Sequence, residues 1–250
     1  MVQMPNITPF YGAKLCPIVG RIGSIKVAIP QHFVLGPVAY KNVDIWNPDS
    51  YRNMPRQPTL ESDISNFAIK IRMTNFKPVH SSKDVEDYDK LSRSVENQPP
   101  VNRWLYVEFF TQSAAEVDNA MKNLVRNWLK DDAKDGPFSR TDDAFGLHHY
   151  VSAQLPFTQR YPYIQKNQQE FFYDPIGERT FIRCRNVIQL PREEAAVPNI
   201  LLSHCQIDYW IKELNIRVSV ANIEDKGDLA RWREIERGVE KTIRSFIVYN

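Results

Sequence analysis

Between Leu229 and Phe246 the chain sets large apolar side chains at steps of three and four: Leu229, Trp232, Ile235, Val239, Ile243 and Phe246. That spacing puts all six on one face of a helix. Arg231, Arg233, Glu234, Arg237, Glu240, Lys241 and Arg244 fill the opposite side, so the apolar stripe has to be covered by another part of the fold. Asp228, behind Gly227, is the expected N-cap, its carboxylate accepting from the exposed N–H groups of the first turn. Just upstream, Asn215-Ile216-Arg217-Val218-Ser219-Val220 reads as a strand. A strand feeding a helix with so heavy a stripe predicts a helix docked on a sheet.

The same order of elements occurs earlier. Trp104 to Phe110 is a β-prone run, and Ser113 with Glu116 has the spacing of a capping box. Val117, Ala120, Met121, Leu124, Val125, Trp128 and Leu129 then supply an apolar helical face. Cleaner strands are expected at Ser24–Pro30 and Phe67–Met73. A hairpin is expected where Glu170-Phe171-Phe172-Tyr173 and Thr180-Phe181-Ile182-Arg183-Cys184 flank the turn residues Asp174-Pro175-Ile176-Gly177. Met1 to Gly23 reads as an irregular arm, Gly36 to Pro58 as a long loop, and Lys77 to Val101 as an exposed excursion. These elements predict an α+β class, with antiparallel sheets each covered by a long amphipathic helix, in two similar lobes. No sequence identity between the lobes amounts to a repeat. With the boundary at Asp131 to Phe145, the lobes are 1–135, a strand-plus-helix unit, and 146–250, a second one that contains the Cys184/Cys205 loop.

Charge and hydropathy exclude some functions. The 32 basic and 30 acidic residues leave a net charge of +2, which implies no counterion-driven nucleic-acid surface. No apolar run approaches the roughly 20 residues needed to cross a bilayer, so no integral membrane segment is expected. Met1-Val2-Gln3-Met4-Pro5-Asn6 shows no basic region leading into an apolar core, so no export signal is visible. Only 9 glycines stand against 17 prolines, which argues against phosphate-cradling loops and for stiff connections.

Chemistry-bearing motifs are sparse. There is no Gly-x-Ser-x-Gly elbow, P-loop, dinucleotide fingerprint or His-Glu-x-x-His, so no cofactor is implied. Cys184, His204, Cys205 and the pair His148-His149 are the candidates for a metal. Adjacent residues in a strand point to opposite faces, and the paired short spacings of zinc sites are missing, so no metal is expected. Nothing in the sequence positions a base against a thiol. Between Cys184 and Cys205 the sequence allows either a disulfide or two buried thiols; the disulfide is preferred, and it leaves Cys16 unpaired.

A set of features taken together carries a resemblance. Ile29-Pro30 ends an early strand, Phe76-Lys77-Pro78 ends another, and Gly146-Leu147 precedes an aromatic hairpin with Phe172-Tyr173. Ile182-Arg183-Cys184, a proline loop and His204-Cys205 follow, and then the strand and the helix Leu229-x-x-Trp232-x-x-Ile235-x-x-x-Val239 that ends Ile243-Arg244-Ser245-Phe246. This order resembles the periplasmic immunity proteins of type VI secretion effectors, those that neutralise lipase-type toxins among them. Gln206 and Asp208 depart from it, standing where the family runs to His and Phe. The resemblance implies a non-enzymatic protein in the periplasm that binds a cognate effector toxin, and a disulfide suits that oxidising compartment. Trp46, Tyr51, Arg52, Tyr161 and Tyr163, aromatic and arginine residues in proline-rich loops, are the expected anchors on the toxin. Two other readings compete: a hydrolase or other small-molecule enzyme built on His148 and His149, and a cytoplasmic scaffold protein with reduced cysteines.

Overall fold

The computed structural model describes residues 16–44, 47–78, 83–84, 104–130, 137–152, 164–189, 201–223 and 226–249. Among them are eleven strands, β1 (Ile18–Ile22), β2 (Ile25–Ile29), β3 (Ala39–Tyr40), β4 (Ile64–Arg72), β5 (Trp104–Thr111), β6 (Phe138–Arg140), β7 (His148–Ser152), β8 (Ile164–Tyr173), β9 (Thr180–Gln189), β10 (Leu201–Ile211) and β11 (Ile216–Ile223). The helices are α1 (Ala114–Trp128), the single turn α2 (Lys226–Leu229) and α3 (Trp232–Arg244), besides short 3-10 turns. The chain forms two compact units, one of residues 1–111, 213–216 and 235–250, the other of 112–212 and 217–234.

In the first unit β1 and β2 form a two-stranded hairpin, with Ile18 opposite Ile29 and Ile22 opposite Ile25. Gly23 makes the turn at φ 58°, and an added Cβ there would overlap the carbonyl oxygen of Leu214. Strands β3, β4 and β5 lie side by side in an antiparallel order, and the β4–β5 register runs from Asn66 opposite Phe110 to Arg72 opposite Trp104. Phe67 and Phe109, directly opposed, stack with ring centroids 4.8 Å apart. Ile64, Phe67, Ile69, Ile71, Leu105, Val107 and Phe109 are all buried, each contributing about 1.5–3 kcal/mol by leaving water. The stripe of α3 joins this core through Ile235, Val239, Ile243 and Phe246, and the Phe246 carbonyl accepts from the Ala28 amide at 2.9 Å.

In the second unit the antiparallel order is β11-β10-β9-β8-β7-β6. One face carries Tyr150, Phe171, Phe181 and Trp210, which pack against Val117 and Met121 of α1. Tyr150 stacks on Phe171 at 4.7 Å, and Trp128 of α1 meets the edge of Phe171 at 5.8 Å. The expected capping box is in place: the Ser113 amide donates to Glu116 Oε2 at 2.7 Å, and Ser113 Oγ accepts from the Glu116 amide at 3.3 Å. The opposite face of the ladder carries Phe172, Ile182, Cys184, Cys205 and Ile207.

The expected α+β arrangement, with each sheet covered by a long helix, is not what forms. Among the described residues the regular structure is mostly antiparallel sheet, with nine strands in the two orders just given and only a few short helices. The sheet is larger than its alternating segments suggested because β8, β9 and β10 run 10, 10 and 11 residues. The first half of β8, Ile164-Gln165-Lys166-Asn167-Gln168-Gln169, has no apolar alternation and is a strand through its pairing to β9. Residues 18–22, expected within an irregular arm, form β1. Gly20 fits in that strand because the Ile64 side chain occupies the space a Cβ would take. Asp228 does not cap one long helix: it lies inside α2, its carbonyl accepts from the Arg231 amide at 3.0 Å, and the helix restarts at Trp232.

Candidate binding surface

The loop from Asn42 to Pro58 is braced from within. Asn42 takes a left-handed φ of 66°, and its carbonyl accepts from Asn53 Nδ2 at 3.0 Å. Asn47 caps a 3-10 helix, Pro48–Asn53, by accepting from the Asp49 amide at 3.1 Å. Ser50 Oγ accepts from the Asp44 amide at 2.8 Å, and its one proton lies within reach of the carbonyls of Asp44 and Asn47 at 2.7 and 2.8 Å. This cross-bracing holds Tyr51 and Arg52 out on the exposed side of the turn. Met54, the residue that ends the 3-10 helix, is exposed as well. Tyr51 is 44 % exposed and Met54 42 %, large apolar surfaces left in water. Arg56 is exposed nearby in sequence. Of the five expected anchors, then, Tyr51 and Arg52 sit together on one presented turn, while Trp46, Tyr161 and Tyr163 lie outside the described residues. Met54 and Arg56, exposed in the same segment, are not among the five expected anchors.

His148 and His149 do not converge. They are neighbours in β7, so their rings stand on opposite faces. The ring of His148 meets the Tyr173 hydroxyl at 3.1 Å through Nδ1. His149 Nε2 meets Glu170 Oε2 at 2.9 Å, Nδ1 meets Thr141 Oγ1 at 2.7 Å, and the ring lies flat on Phe172 at 4.3 Å. Hydroxyl, imidazole and carboxylate in a row have the order of nucleophile, base and orienting group. Here, however, the Thr141 amide, the donor that would flank an oxyanion, is already given to the His149 carbonyl at 3.0 Å. The Thr141 hydroxyl contacts that same carbonyl at 3.3 Å. The row therefore acts as a polar tie across β7 and its two neighbours, and Glu170, 6 % exposed at its side chain, is a buried carboxylate with a partner. Sequence could not show Glu170 as that partner, because the pairing depends on the β7–β8 register. Among the described residues no three His, Cys, Asp or Glu side chains gather closely enough to hold a metal ion.

Cys184 and Cys205 form the disulfide, directly opposite each other in the β9–β10 ladder with Cα atoms 4.1 Å apart. Both are buried, and Glu170 is the next residue across the ladder from Cys184. Cys16 is free and exposed. Gln206 and Asp208, which depart from the family resemblance, face the other way. Asp208 Oδ1 accepts from Arg217 Nη2 at 2.9 Å, and Gln206 Oε1 accepts from Arg183 Nη2 at 2.7 Å. Asp208 is 4 % exposed at its side chain and so holds the Arg217 guanidinium, a third exposed, at the sheet surface.

No family model matches the chain, and no curated protein matches its sequence. Among solved structures it is similar to Smlt3025, an immunity protein of the Stenotrophomonas maltophilia type IV secretion system. The TM-score is 0.51, the identity 12%, and the likeness covers 94% of each chain. At that identity the likeness is one of fold, and it extends over almost the whole of both proteins. The neighbour's own system is a type IV secretion system, not a type VI one.

Proposed function

We propose that this chain is a non-enzymatic immunity protein, which binds one cognate secreted toxin and neutralises it by contact. The observation that carries the reading is the fold shared from end to end with an immunity protein. The braced turn with Tyr51 and Arg52 adds to it. Ordering a loop before binding lowers the entropy cost of association, and Tyr and Arg are favoured anchors of protein interfaces. Trp46, Tyr161 and Tyr163 complete the proposed contact set. The toxin is taken as a type VI effector, which the sequence resemblance implies; the neighbour's type IV system favours a second reading for the delivery machinery. The buried Cys184–Cys205 disulfide suits an oxidising compartment and supports a reading in which binding occurs in the periplasm. That also disfavours a cytoplasmic scaffold, while the spent Thr141 amide disfavours a hydrolase at His149.

The test is titration calorimetry of the purified chain against the protein encoded beside it, with rescue of cells that express that protein in the periplasm. Binding and rescue are expected. Tyr51→Ala and Arg52→Ala should each weaken the complex about tenfold or more, the loss typical of an interface anchor. An isolated chain that turns over a substrate, or that neither binds nor rescues, would overturn the reading.

A further inference from the structure

Along α1, Met121, Val125 and Leu129 recur every four residues, and Lys122, Arg126 and Lys130 form a second row immediately beside them. The apolar row climbs out of the core: Met121 is 5 % exposed, Val125 is half-buried and Leu129 is 38 % exposed. With Tyr173 and Glu178 of the β8–β9 hairpin these six residues line an open groove of about 560 Å³. Its floor is apolar, and among the described residues its rim carries three cations against one carboxylate. Glu178 stands 3.9 Å from Lys122, with both side chains more than half exposed, so that pair opens at little cost.

The hairpin turn beside the groove presents a further apolar group. Ile176 is 94 % exposed, two residues before Glu178. Its turn is fixed: the Ile176 amide donates to Asp174 Oδ1 at 3.0 Å, and the Glu178 amide donates to the Asp174 carbonyl at 3.2 Å. An isoleucine held in water on a pinned turn, beside an apolar trough with a basic rim, is a surface arranged for contact.

We infer that this groove is a second contact site for the toxin, and that it takes an acidic segment of that protein, with apolar side chains entering the trough between carboxylates that meet Lys122, Arg126 and Lys130. The inference rests on the immunity reading and adds to it the chemistry of the partner. Charge complementarity selects the occupant. A neutral apolar helix would bring no carboxylates to Lys122, Arg126 and Lys130, and a flat anionic surface could not reach Met121 at the bottom of the trough.

The experiment measures binding of the toxin encoded beside this chain, at low and high salt, for the wild type, Arg126→Glu/Lys130→Glu, Ile176→Ser and Tyr51→Ala, with thermal melts to confirm folding. The substituted side chains at 126, 130 and 176 are exposed, so the variants are expected to fold as the wild type does. The double charge reversal should weaken binding about tenfold at low salt and flatten its salt dependence, since screening then has less attraction to remove. Ile176→Ser should weaken it several-fold. If the wild type binds and the groove variants match it in affinity and salt dependence, the groove inference falls and the immunity reading stands, with Tyr51→Ala marking the remaining interface. If the wild type does not bind, both fall. If the reversal alters only self-association of the chain, the groove belongs to a second copy and the inference is overturned.

Discussion

Removing the Cys184–Cys205 bond should cost the second unit about 3 kcal/mol. The cysteines are 21 residues apart in sequence, and loop-closure entropy for a loop of that size gives that figure. The bond acts on the unfolded chain more than on the folded one. In the native state Cys184 and Cys205 are already opposed in register, with β9 and β10 hydrogen-bonded on both sides of them, so the ladder has its own reason to hold. For a chain of this length about 3 kcal/mol corresponds to a fall in Tm of roughly 6–12 °C. The measurement is a thermal melt followed by circular dichroism, with and without reductant, paired with thiol titration. One thiol, Cys16, should react without reductant in both native and unfolded protein, and three should react with it. A Cys184→Ala/Cys205→Ala variant should melt near the reduced protein and ignore reductant. Three reactive thiols without reductant would refute the bond. A count that rises from one to three while Tm stays fixed would refute the entropy argument and leave the bond.

Two further outcomes follow from single positions. Gly238 lies inside α3, where alanine is ordinarily favoured by about 1 kcal/mol, yet a Cβ there would overlap the ring of Phe76, a residue held at φ 55°. Gly238→Ala should therefore destabilise by about 1–3 kcal/mol in urea denaturation, and a stabilised variant would show that the ring yields freely. Tyr106 has its pKa raised from 10.0 to about 12, first by burial and then by the Glu108 carboxylate, which its hydroxyl meets at 3.1 Å. The folded value lies above the unfolded one, so the neutral phenol's contribution is complete below about 10 and is lost as pH rises toward 12. Near-ultraviolet titration should show a late-titrating tyrosine component that is lost in Tyr106→Phe, and a Tyr106→Phe difference spectrum with an ordinary midpoint would contradict it.

What the sequence made legible was whatever local pattern alone determines. The α1 capping box needs only Ser113, Glu116 and a following apolar face, and all of that lies within one helix. The β4 segment alternates clearly enough to be a strand without its neighbours, and the aromatic runs around Asp174 to Gly177 specify their own hairpin. The prolines flanking Tyr51 and Arg52 mark a loop, and both residues are exposed there. The fold class was not readable, and the reason is physical. Helical stripes announce themselves over a dozen residues, whereas a strand such as Ile164–Tyr173 is half polar and acquires its conformation from the hydrogen bonds of β7 and β9. Weighting elements by the strength of their pattern therefore counts helices fully and sheets only in part.

The same distinction separates the parts of the candidate site. The tie from Thr141 through His149 to Glu170 exists only once β6, β7 and β8 are in register, because Glu170 lies 21 residues from His149 and faces it diagonally across a strand pair. A one-residue slip would turn Glu170 to the α1 face and leave His149 against the wrong neighbours. Glu170 is buried, so register and burial are coupled: a slipped sheet would have to keep a carboxylate in the aromatic cluster of Tyr150, Phe171 and Phe181. The Cys184–Cys205 bond fixes the register of the β9–β10 pair, and in the separate β8–β9 ladder Glu170 stands opposite Cys184, on the histidine's side. Disulfide and polar tie therefore pin two different ladders of the same sheet, β9–β10 and β7–β8. That accounts for a carboxylate and an imidazole in the interior of a sheet without giving either of them a reaction to perform.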